Sequence, residues 1–409
     1  MKRYDKYKDS GVEWIGKIPE NWKVRRLGNL LTDYSEKNNS EFPLLSITRE
    51  KGVILRDLEE DENHNFIPDD LSGYKKLYLN YFGMNKMKAW QGSYGISKYT
   101  GIVSPAYYTF KISDLLYPDF FHLAIRSKTY ISFFGSASDG VRIGQWDLSK
   151  TRMKNIPFII PSFPEQQAIA SFLDDKTSKI DQTISIKEKE IELLKERRQI
   201  LIQKAVTKGL DDKVKLKDSG VEWIGEVPEH WEVRRFKFLC HITTGSKNTE
   251  NKIENGQYPF YVRSQIPERI NSFTFDGEAI LTAGDGAGVG KVFHYVNEKF
   301  DFHQRVYKFS NFRNVKGKFL FYYLKNNFYN VALNGEAKST VDSLRLPLIQ
   351  NFLVSFPKNK EQTEIISYLE KIEEKISKAI SLKQQEIEKL KEYKTVLIDN
   401  VVTGKVKVS

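Results

Sequence analysis

The segment Lys8-Asp9-Ser10-Gly11-Val12-Glu13-Trp14-Ile15-Gly16 recurs letter for letter at residues 217–225. The likeness continues to residue 26 in the first copy and to 235 in the second, and we call 8–26 and 217–235 the frame blocks. A further pair of matching segments lies at 165–207 and 361–403. The first insert (27–164) and the second insert (236–360) lie between these constant parts and do not match each other. This arrangement suits a protein that recognises two different targets at a fixed separation.

The composition is that of a folded protein with more than one domain. A length of 409 residues is enough for two or three domains, and 40% hydrophobic residues predict packed cores. The N-terminal residues contain no apolar signal-peptide core, and no run approaches the roughly 20 apolar residues of a membrane span. The single cysteine, Cys240, excludes an internal disulfide and fits a reducing compartment. We therefore expect a cytoplasmic protein.

The net charge of +11 is concentrated in one stretch of each insert. Residues 63–164 contain 12 Lys and Arg, six Asp and no Glu, and residues 237–355 contain 15 Lys and Arg against 10 Asp and Glu. These two excesses account for the whole net charge, so the rest of the chain is neutral. A basic stretch in each insert predicts that the inserts contact nucleic acid, with a basic but inert surface as the simpler alternative.

Segments 165–206 and 361–402 lack Gly and Pro and predict two long helices. Their apolar positions repeat in steps of four and three, a 3.5-residue period that indicates a coiled-coil seam, although a plain amphipathic helix is the alternative. The seam is interrupted by cations at matching places in the two helices. Its positions are Ile180, Ile184, Lys187, Ile191, Leu194, Arg198, Leu201 and Ala205 in the first helix, and Ile376, Ile380, Lys383, Ile387, Leu390, Lys394, Leu397 and Val401 in the second.

These helices have the length of a spacer, because some forty residues at about 1.5 Å each span about 60 Å. Ser162 with Glu165, and Asn359 with Gln362, are the predicted cap pairs at their starts. One helix leaves each insert, so pairing along their length makes them antiparallel. The block that should follow the second helix stands at the N-terminus instead. The repeat is therefore circular, and we expect the N-terminal residues to lie near the C-terminal ones.

The inserts predict a mixture of strands and helices. Helices are expected at 118–133 and 317–330, and apolar closing strands at 156–160 and 352–356. The predicted fold is α+β, with two pseudo-two-fold-related mixed α/β domains joined by two long antiparallel coiled-coil helices. The predicted segments are a first domain at 1–162, a first spacer helix at 163–209, a second domain at 210–357, and a second spacer helix with the C-terminal tail at 358–409.

The sequence contains no recognisable catalytic or metal-binding constellation. The glycine-rich stretch 284–291 fails the P-loop pattern, because Asp285 occupies a required glycine position and no Ser or Thr follows Lys291. Cys240-His241 alone is no metal site. Pro68-Asp69 and Pro118-Asp119 match the start of one nuclease signature, but no Glu-x-Lys follows either at a useful distance. The Asn-Pro-Pro-aromatic motif of an amino-methyltransferase is not found. We therefore predict a chain with no catalytic residue, no metal and no cofactor of its own.

The doubled Gly-Val-Glu-Trp-Ile-Gly-x-x-Pro-Glu-x-Trp block, the two Glu-Gln-led heptad helices and the circular order of two divergent inserts resemble the specificity subunit of type I restriction–modification systems. The resemblance covers essentially the whole chain. It implies two target-recognition domains, each reading one half of a bipartite, asymmetric site in double-stranded DNA. It also implies a non-catalytic subunit with two partners: two methyltransferase subunits that use S-adenosylmethionine, and restriction subunits that use ATP and Mg.

In such a subunit, basic residues hold phosphates, while Arg, Asn and Gln read base edges. We selected candidates because they are polar or basic residues near predicted turns. For any one of them, ordinary surface charge is an equal alternative. In the first insert they are Lys75, Lys76, Lys98, Arg142, Gln145 and Arg152, and in the second Lys247, Arg263, Arg269, Lys291, Arg305 and Lys338.

The repeated tryptophans of the frame blocks, Trp14, Trp22, Trp223 and Trp231, have two interpretations. They pin each domain to the helix pair, which we favour, or they form a docking surface for the methyltransferase.

Two other functions compete with the specificity subunit. A stand-alone two-headed DNA-binding regulator needs no methyltransferase, so a neighbouring methyltransferase coding sequence would discriminate against it. A protein–protein scaffold needs no DNA, and the concentration of positive charge in the inserts argues against it.

Overall fold

The computed structural model describes residues 2–56, 67–140, 146–333 and 344–408. The chain divides into two compact units, one of Met1–Lys187 with Gln385–Ser409 and the other of Glu188–Gln384. This division differs from the four predicted segments, because each long helix is shared between the units. None of the helices in the described ranges combines the length and the apolar character that a membrane crossing requires.

The first unit packs short strands and three helices against one end of the long helices. Its strands are β1 (Tyr7–Asp9), β2 (Lys17–Pro19), β3 (Lys23–Arg26), β4 (Leu31–Asp33), β5 (Leu45–Thr48), β6 (Gly52–Leu55), β7 (Lys75–Leu77), β8 (Phe82–Met84), β9 (Tyr94–Ile96), β10 (Gly101–Val103), β11 (Tyr108–Ile112), β12 (Ser138–Asp139), β13 (Asp147–Leu148) and β14 (Pro157–Ile160). Its helices are α1 (Pro118–Ile125), α2 (Lys128–Ser136), α3 (Lys150–Asn155), the first part of α4 (Phe163–Lys208) and the last part of the second long helix, from Gln385 to Val402.

The central sheet of the first unit is antiparallel in the order β4-β11-β8-β9. Phe82 on β8, Phe110 on β11 and Phe121 on α1 are all fully buried, and the Phe82 and Phe121 rings meet edge to face at 5.4 Å between centroids. Each such ring removes a large apolar area from water, so this aromatic layer contributes to hydrophobic stabilisation under the sheet.

The second unit contains β15 (Leu216–Asp218), β16 (Glu226–Pro228), β17 (Glu232–Arg235), β18 (His241–Thr244), β19 (Tyr258–Tyr261), β20 (Glu268–Ile270), β21 (Phe275–Ala283), β22 (Phe293–Phe302), β23 (Val306–Ser310) and β24 (Leu353–Phe356). Its helices are α5 (Gly317–Leu333), α6 (Leu346–Asn351) and parts of α4 and α7 (Asn359–Val402). Its sheet has the order β18-β23-β21-β22-β19-β20, and only the β19–β22 pairing among these strands is parallel.

The two units share the order of their main elements. The frame blocks form the β1–β2 and β15–β16 hairpins and then the strands β3 and β17, which pair with the closing strands β14 and β24. The strand order β4-β11-β8-β9 matches β18-β23-β21-β22. The predicted α+β class and the prediction that unlike inserts share a fold are therefore confirmed.

The long helices present the predicted seam. Ile180, Ile191 and Ala205 of α4 are buried, whereas Ile186 and Leu193, off the seam, are 61% and 55% exposed. The same pattern holds on α7, where the buried seam residues are Ile376, Ile387, Leu397 and Val401.

Three of the four seam cations bind a carboxylate on the opposite helix. In the first unit Lys187 Nζ donates to Glu386 at 2.6 Å, and Lys394 Nζ donates to Asp181 at 2.6 Å. From one pair to the other, the residue number rises on α4 and falls on α7, so the helices run antiparallel here, as predicted. In the second unit Lys383 donates to Glu190. A cation at the seam is tolerated because its ammonium reaches the rim and finds an acid there.

A buried glutamine attaches each long helix to its insert. Gln166 accepts a hydrogen bond from the Tyr117 amide at 2.8 Å and donates to the carbonyls of Leu115 (2.9 Å) and Pro161 (3.1 Å). The second unit repeats this set, where Gln362 bonds the Lys316 amide and the Asn314 and Pro357 carbonyls. Each glutamine is fully buried, so its three bonds satisfy backbone groups that would otherwise be costly to bury.

Two of the predicted helix-cap residues make hydrogen bonds to other parts of the protein. Glu165 accepts a hydrogen bond from Tyr4 Oη at 2.8 Å, and Gln362 binds the insert. The predicted helix at 118–133 is two helices, because Ser127 takes an extended conformation with ψ of 158° between α1 and α2.

The chain termini meet in the first unit. The Lys407 amide donates to the Lys2 carbonyl at 2.9 Å, and Tyr7 Oη donates to the Gly404 carbonyl at 3.2 Å. This confirms the expected proximity of the N-terminal and C-terminal residues.

Candidate nucleic-acid interface

Two glycines bring three chain segments together at one end of β21. A Cβ on Gly284 would lie 2.9 Å from the Arg305 carbonyl oxygen, and one on Gly288 would lie 2.6 Å from the Arg263 carbonyl oxygen. Any other residue would push these segments apart. The stretch 284–291 is therefore a close-packed turn.

Asp285 lies at this junction with a side chain that is 13% exposed. Its two carboxylate oxygens accept separate hydrogen bonds, from Arg263 Nη1 at 3.0 Å and from Arg305 Nη1 at 3.0 Å. The two arginine side chains remain 47% and 61% exposed. We call these three residues the Asp285 cluster. It joins two of the predicted DNA-contacting arginines, which are 42 positions apart in the sequence.

Polar side chains extend the surface beside the Asp285 cluster. Lys247 forms a parallel bridge with His303, and its carbonyl accepts from the Gln304 amide at 2.8 Å. Gln304 Nε2 donates to Asn248 Oδ1. Burial, and next the positive charge of Arg263, lowers the pKa of His303, which favours its neutral form. A partly buried lysine, two amides and two arginines together offer both phosphate-binding and base-reading groups.

The other candidates of the second insert lie outside this junction. Arg269 donates to the Gly256 and Gln257 carbonyls at 2.9 Å each, so its guanidinium supports a loop. Lys291 is exposed, and its Nζ lies 5.7 Å from the Tyr329 ring centroid. It borders a cavity of about 920 Å³ that Arg198 and Lys189 of α4 also line. Lys338 lies outside the described residues.

In the first insert, Lys75 lies among other cations. Its Nζ donates to the Tyr107 carbonyl at 2.7 Å, and burial, followed by the charges of Lys37, Lys150 and Lys86, lowers its pKa. A bound anion would relieve this crowding of like charges. Lys75 is therefore the candidate of this insert that the electrostatics support most directly.

Lys76 is largely occupied within the protein. It is buried, donates to Asn39 Oδ1 at 3.0 Å, lies 3.5 Å from Glu36 and lies 4.0 Å from the Phe42 ring centroid. These contacts give Lys76 a structural role.

Lys98 and Arg152 are exposed, and Arg152 pairs with Asp139. Arg142 and Gln145 lie outside the described residues.

A cleft of about 750 Å³ in the first unit occupies the place that corresponds to the Asp285 cluster. Asn85 directly follows β8, and Tyr107 directly precedes β11. Asn85 donates a hydrogen bond to Tyr107 Oη at 3.3 Å. In the second unit, Asp285 follows β21 and Arg305 precedes β23, which are the corresponding strands. Arg56, Lys88 and Gln91 also line the cleft.

Sequence reasoning missed these cleft residues, and also Asn248, Asp285 and Gln304. The available signal was the shared strand pattern of the inserts, which places the ends of corresponding strands together.

Trp22 and Trp231 are almost fully buried, and Trp231 Nε1 donates to Glu361 at 3.1 Å. Trp22 belongs to the core that includes Ile169 of α4 and Val401 of α7, which supports the pinning role. Trp14 is 58% exposed and stacks on Phe133 at 5.4 Å, while Trp223 stacks on Phe352 at 5.1 Å. Within the described ranges, no three His, Cys, Asp or Glu side chains gather as a metal site would require.

Comparisons with known proteins place this fold in a family. The model of the type I restriction modification DNA specificity domain matches residues 19–196 and 228–392. The chain is 26% identical to the type I restriction enzyme MjaVIII specificity subunit of Methanocaldococcus jannaschii, over 96% of this chain and 94% of that protein. It is 27% identical to the EcoDI specificity subunit of Escherichia coli, over 44% of this chain and 39% of that protein.

Solved structures agree on the fold. A chain from a type I R-M system, solved to explain its complex assembly and conformational transition, superposes with a TM-score of 0.73 at 15% identity, covering 95% of this chain and 99% of that chain. The HsdS subunit from Thermoanaerobacter tengcongensis superposes with a TM-score of 0.57 at 15% identity, covering 95% and 98%. With both inserts matched by the family model, the chain belongs to the type I restriction modification DNA specificity domain family.

Proposed function

We propose that this chain is the non-catalytic sequence-specificity subunit of a type I restriction–modification complex in the cytoplasm. Each unit reads one half of a bipartite, asymmetric site in double-stranded DNA, with an unread gap between the halves. Two methyltransferase subunits and the restriction subunits are its protein partners. S-adenosylmethionine, ATP and Mg serve those partners and not this chain.

The observation that carries the proposal is a pair of unlike polar surfaces at corresponding places in two like domains. Asn85 and Tyr107 stand at the ends of β8 and β11 in the first unit, and Asp285 and Arg305 stand at the ends of β21 and β23 in the second. A common frame with different surface chemistry is what reading two different half-sites requires. The surplus of positive charge at residues 63–164 and 237–355 supports DNA as the target.

The first test is to co-express the chain with the methyltransferase encoded beside it and to map methylated adenines across the host genome. A split motif with an unread gap supports the proposal. Exchange of the first or second insert for that of a relative should change only one half of the motif. A stable complex without methylation contradicts it and leaves a DNA-binding or scaffold role. Failure to form a complex favours the stand-alone two-headed DNA-binding regulator.

The interface itself is tested by substitution. Arg263→Ala with Arg305→Ala, and separately Arg56→Ala with Lys88→Ala, should each weaken binding to the mapped site while the protein stays folded. Any substituted cation that binds a phosphate should also reduce the salt dependence of binding by about one unit of slope. Lys252→Ala removes an exposed cation paired with Glu268 at 3.5 Å and serves as the matched control. Unchanged affinity in both double variants would contradict the assigned surfaces.

A further inference from the structure

We propose that Asp285 is a positioning residue for DNA recognition, which holds Arg263 and Arg305 with their free edges directed to guanine bases of one half-site. This inference rests on the proposed function and assigns to the second unit a chemistry for what it reads. Asp285 itself does not contact DNA in this proposal.

The hydrogen bonds leave the reading edge of each arginine available. A guanidinium has five N–H donors, and Arg263 and Arg305 each use Nη1 alone on Asp285. The remaining donors include Nη2 with Nε, an edge that matches the O6 and N7 acceptors of guanine in the major groove. The exposed fractions of 47% and 61% show that these side chains reach solvent, whereas the carboxylate that anchors them is at 13%.

Fixing an arginine before binding has a direct benefit. A free arginine side chain loses considerable rotamer entropy when it is immobilised on a base, and an anchor that already holds it reduces that loss. One carboxylate with an oxygen for each guanidinium fixes the two groups relative to each other. The backbone around them is equally constrained, because Gly284 and Gly288 pack against the carbonyls of the same two arginines.

The charge of Asp285 argues against a role in general DNA affinity. A carboxylate beside the DNA repels phosphates, so an acid at this place weakens binding to every sequence alike. Its presence between two cations of a basic insert is explained if it improves discrimination between sequences at the expense of non-specific attraction. This gives the proposal a signature that a purely structural acid would not have.

The test uses the chain in complex with its co-expressed methyltransferase, with wild-type protein and Asp285→Asn compared. Two duplexes are used, one carrying the mapped site and one in which the half-site read by the second unit is scrambled. We expect the ratio of the two affinities to fall by about tenfold, within the range that a bidentate arginine–guanine contact contributes. Affinity for the scrambled duplex should stay the same or rise, because one negative charge has been removed. The half-site should contain at least one guanine–cytosine pair.

Matched variants separate the explanations. Asp276→Asn removes an exposed acid of the same unit and should leave the ratio unchanged. In the background of Arg263→Gln with Arg305→Gln, Asp285→Asn should have no further effect on the ratio, because Asp285 acts through these arginines. If Asp285→Asn does not fold, the Arg263→Gln and Arg305→Gln single variants test the same assignment, and an unchanged ratio in both overturns it.

The remaining outcomes are distinct. A wild-type complex that does not prefer the mapped site contradicts the proposed function. A wild-type preference that Asp285→Asn leaves intact overturns only the role of Asp285. An equal loss of affinity for both duplexes also overturns it, because that result describes a residue needed for folding and not for discrimination.

Discussion

Trp22 and Trp231 are repeated residues whose side chains are removed from solvent, at 0% and 1% exposure. Trp14 belongs to the same repeated block but is largely exposed. Trp22 and Trp231 therefore stabilise the domain cores, whereas Trp14 keeps an exposed face that is available to a partner. The sequence alone could not make this separation, because all four tryptophans are repeated equally.

We predict that Trp22→Ala lowers the free energy of unfolding of the first unit by about 3–5 kcal/mol, because a large core side chain leaves a cavity. Trp14→Ala, as the matched control, should have a much smaller effect. Denaturant unfolding followed by fluorescence and circular dichroism measures both. If Trp22→Ala unfolds as the wild type does but no longer binds the methyltransferase, the docking interpretation replaces the pinning one.

The candidate site shows the limit of prediction at the residue scale. Arg263 and Arg305 were identified from type and position near turns, and the structure brings them together. Asp285 was considered only as part of a glycine-rich stretch, because its partners lie 22 and 20 positions away and no local pattern encodes such a meeting. Lys76 has the same local appearance as Lys75, and only burial distinguishes them.

At the scale of elements, the long helices were the most predictable part of the chain. Their seam positions are those with period 3.5, since that period alone keeps one stripe of side chains facing a partner helix. The break at Ser127 was not predictable, because no Gly or Pro marks it and the turn is imposed by packing of α1 and α2 against the domain core. Such tertiary effects override local propensity.

The seam pairs allow a charge-exchange experiment. Lys394 donates to Asp181 with side chains 30% and 56% exposed, so the pair is screened and its coupling should be about 0.2–1 kcal/mol. Lys394→Asp alone places two acids together and should destabilise the first unit, and Asp181→Lys alone places two lysines together. The combined exchange should recover most of the loss. A double-mutant cycle from equilibrium unfolding measures the coupling, and additive effects would show that the pair does not interact.

At the scale of the whole molecule, the contact of Lys2 with Lys407 makes the chain a closed cycle with a cut in the first unit. The corresponding connection in the second unit is unbroken and passes through exposed Asp211 and Asp212. The circular order of the repeats was sufficient to predict that the termini meet. The frame block that should follow the second long helix stands at the N-terminus, so the two ends have to lie together.

We predict that a circular permutant keeps its fold and its methylation motif when Ser409 is linked to Met1 and the chain is opened between Asp211 and Asp212. The new cut removes only surface contacts, such as the Lys204–Asp212 ion pair at 2.6 Å. Opening between Gln182 and Thr183 instead interrupts α4 and should reduce both helicity and melting temperature. Circular dichroism and methylation mapping with the co-expressed partner compare the two permutants. If the two permutants had the same helicity, melting temperature and methylation motif, an uninterrupted α4 would not be required.

The Gln166 and Gln362 attachments have an evolutionary consequence. Each glutamine binds the insert through main-chain amide and carbonyl groups, which every sequence possesses. Substitution of the insert residues that supply these main-chain groups therefore leaves the attachment intact, as long as neither amide donor is replaced by proline. An insert can drift, or be replaced by recombination as a whole module, without a compensating change in the helix. The glutamine attachment does not depend on the amino-acid sequence of the insert. Selection can therefore alter one recognition surface while the frame stays constant.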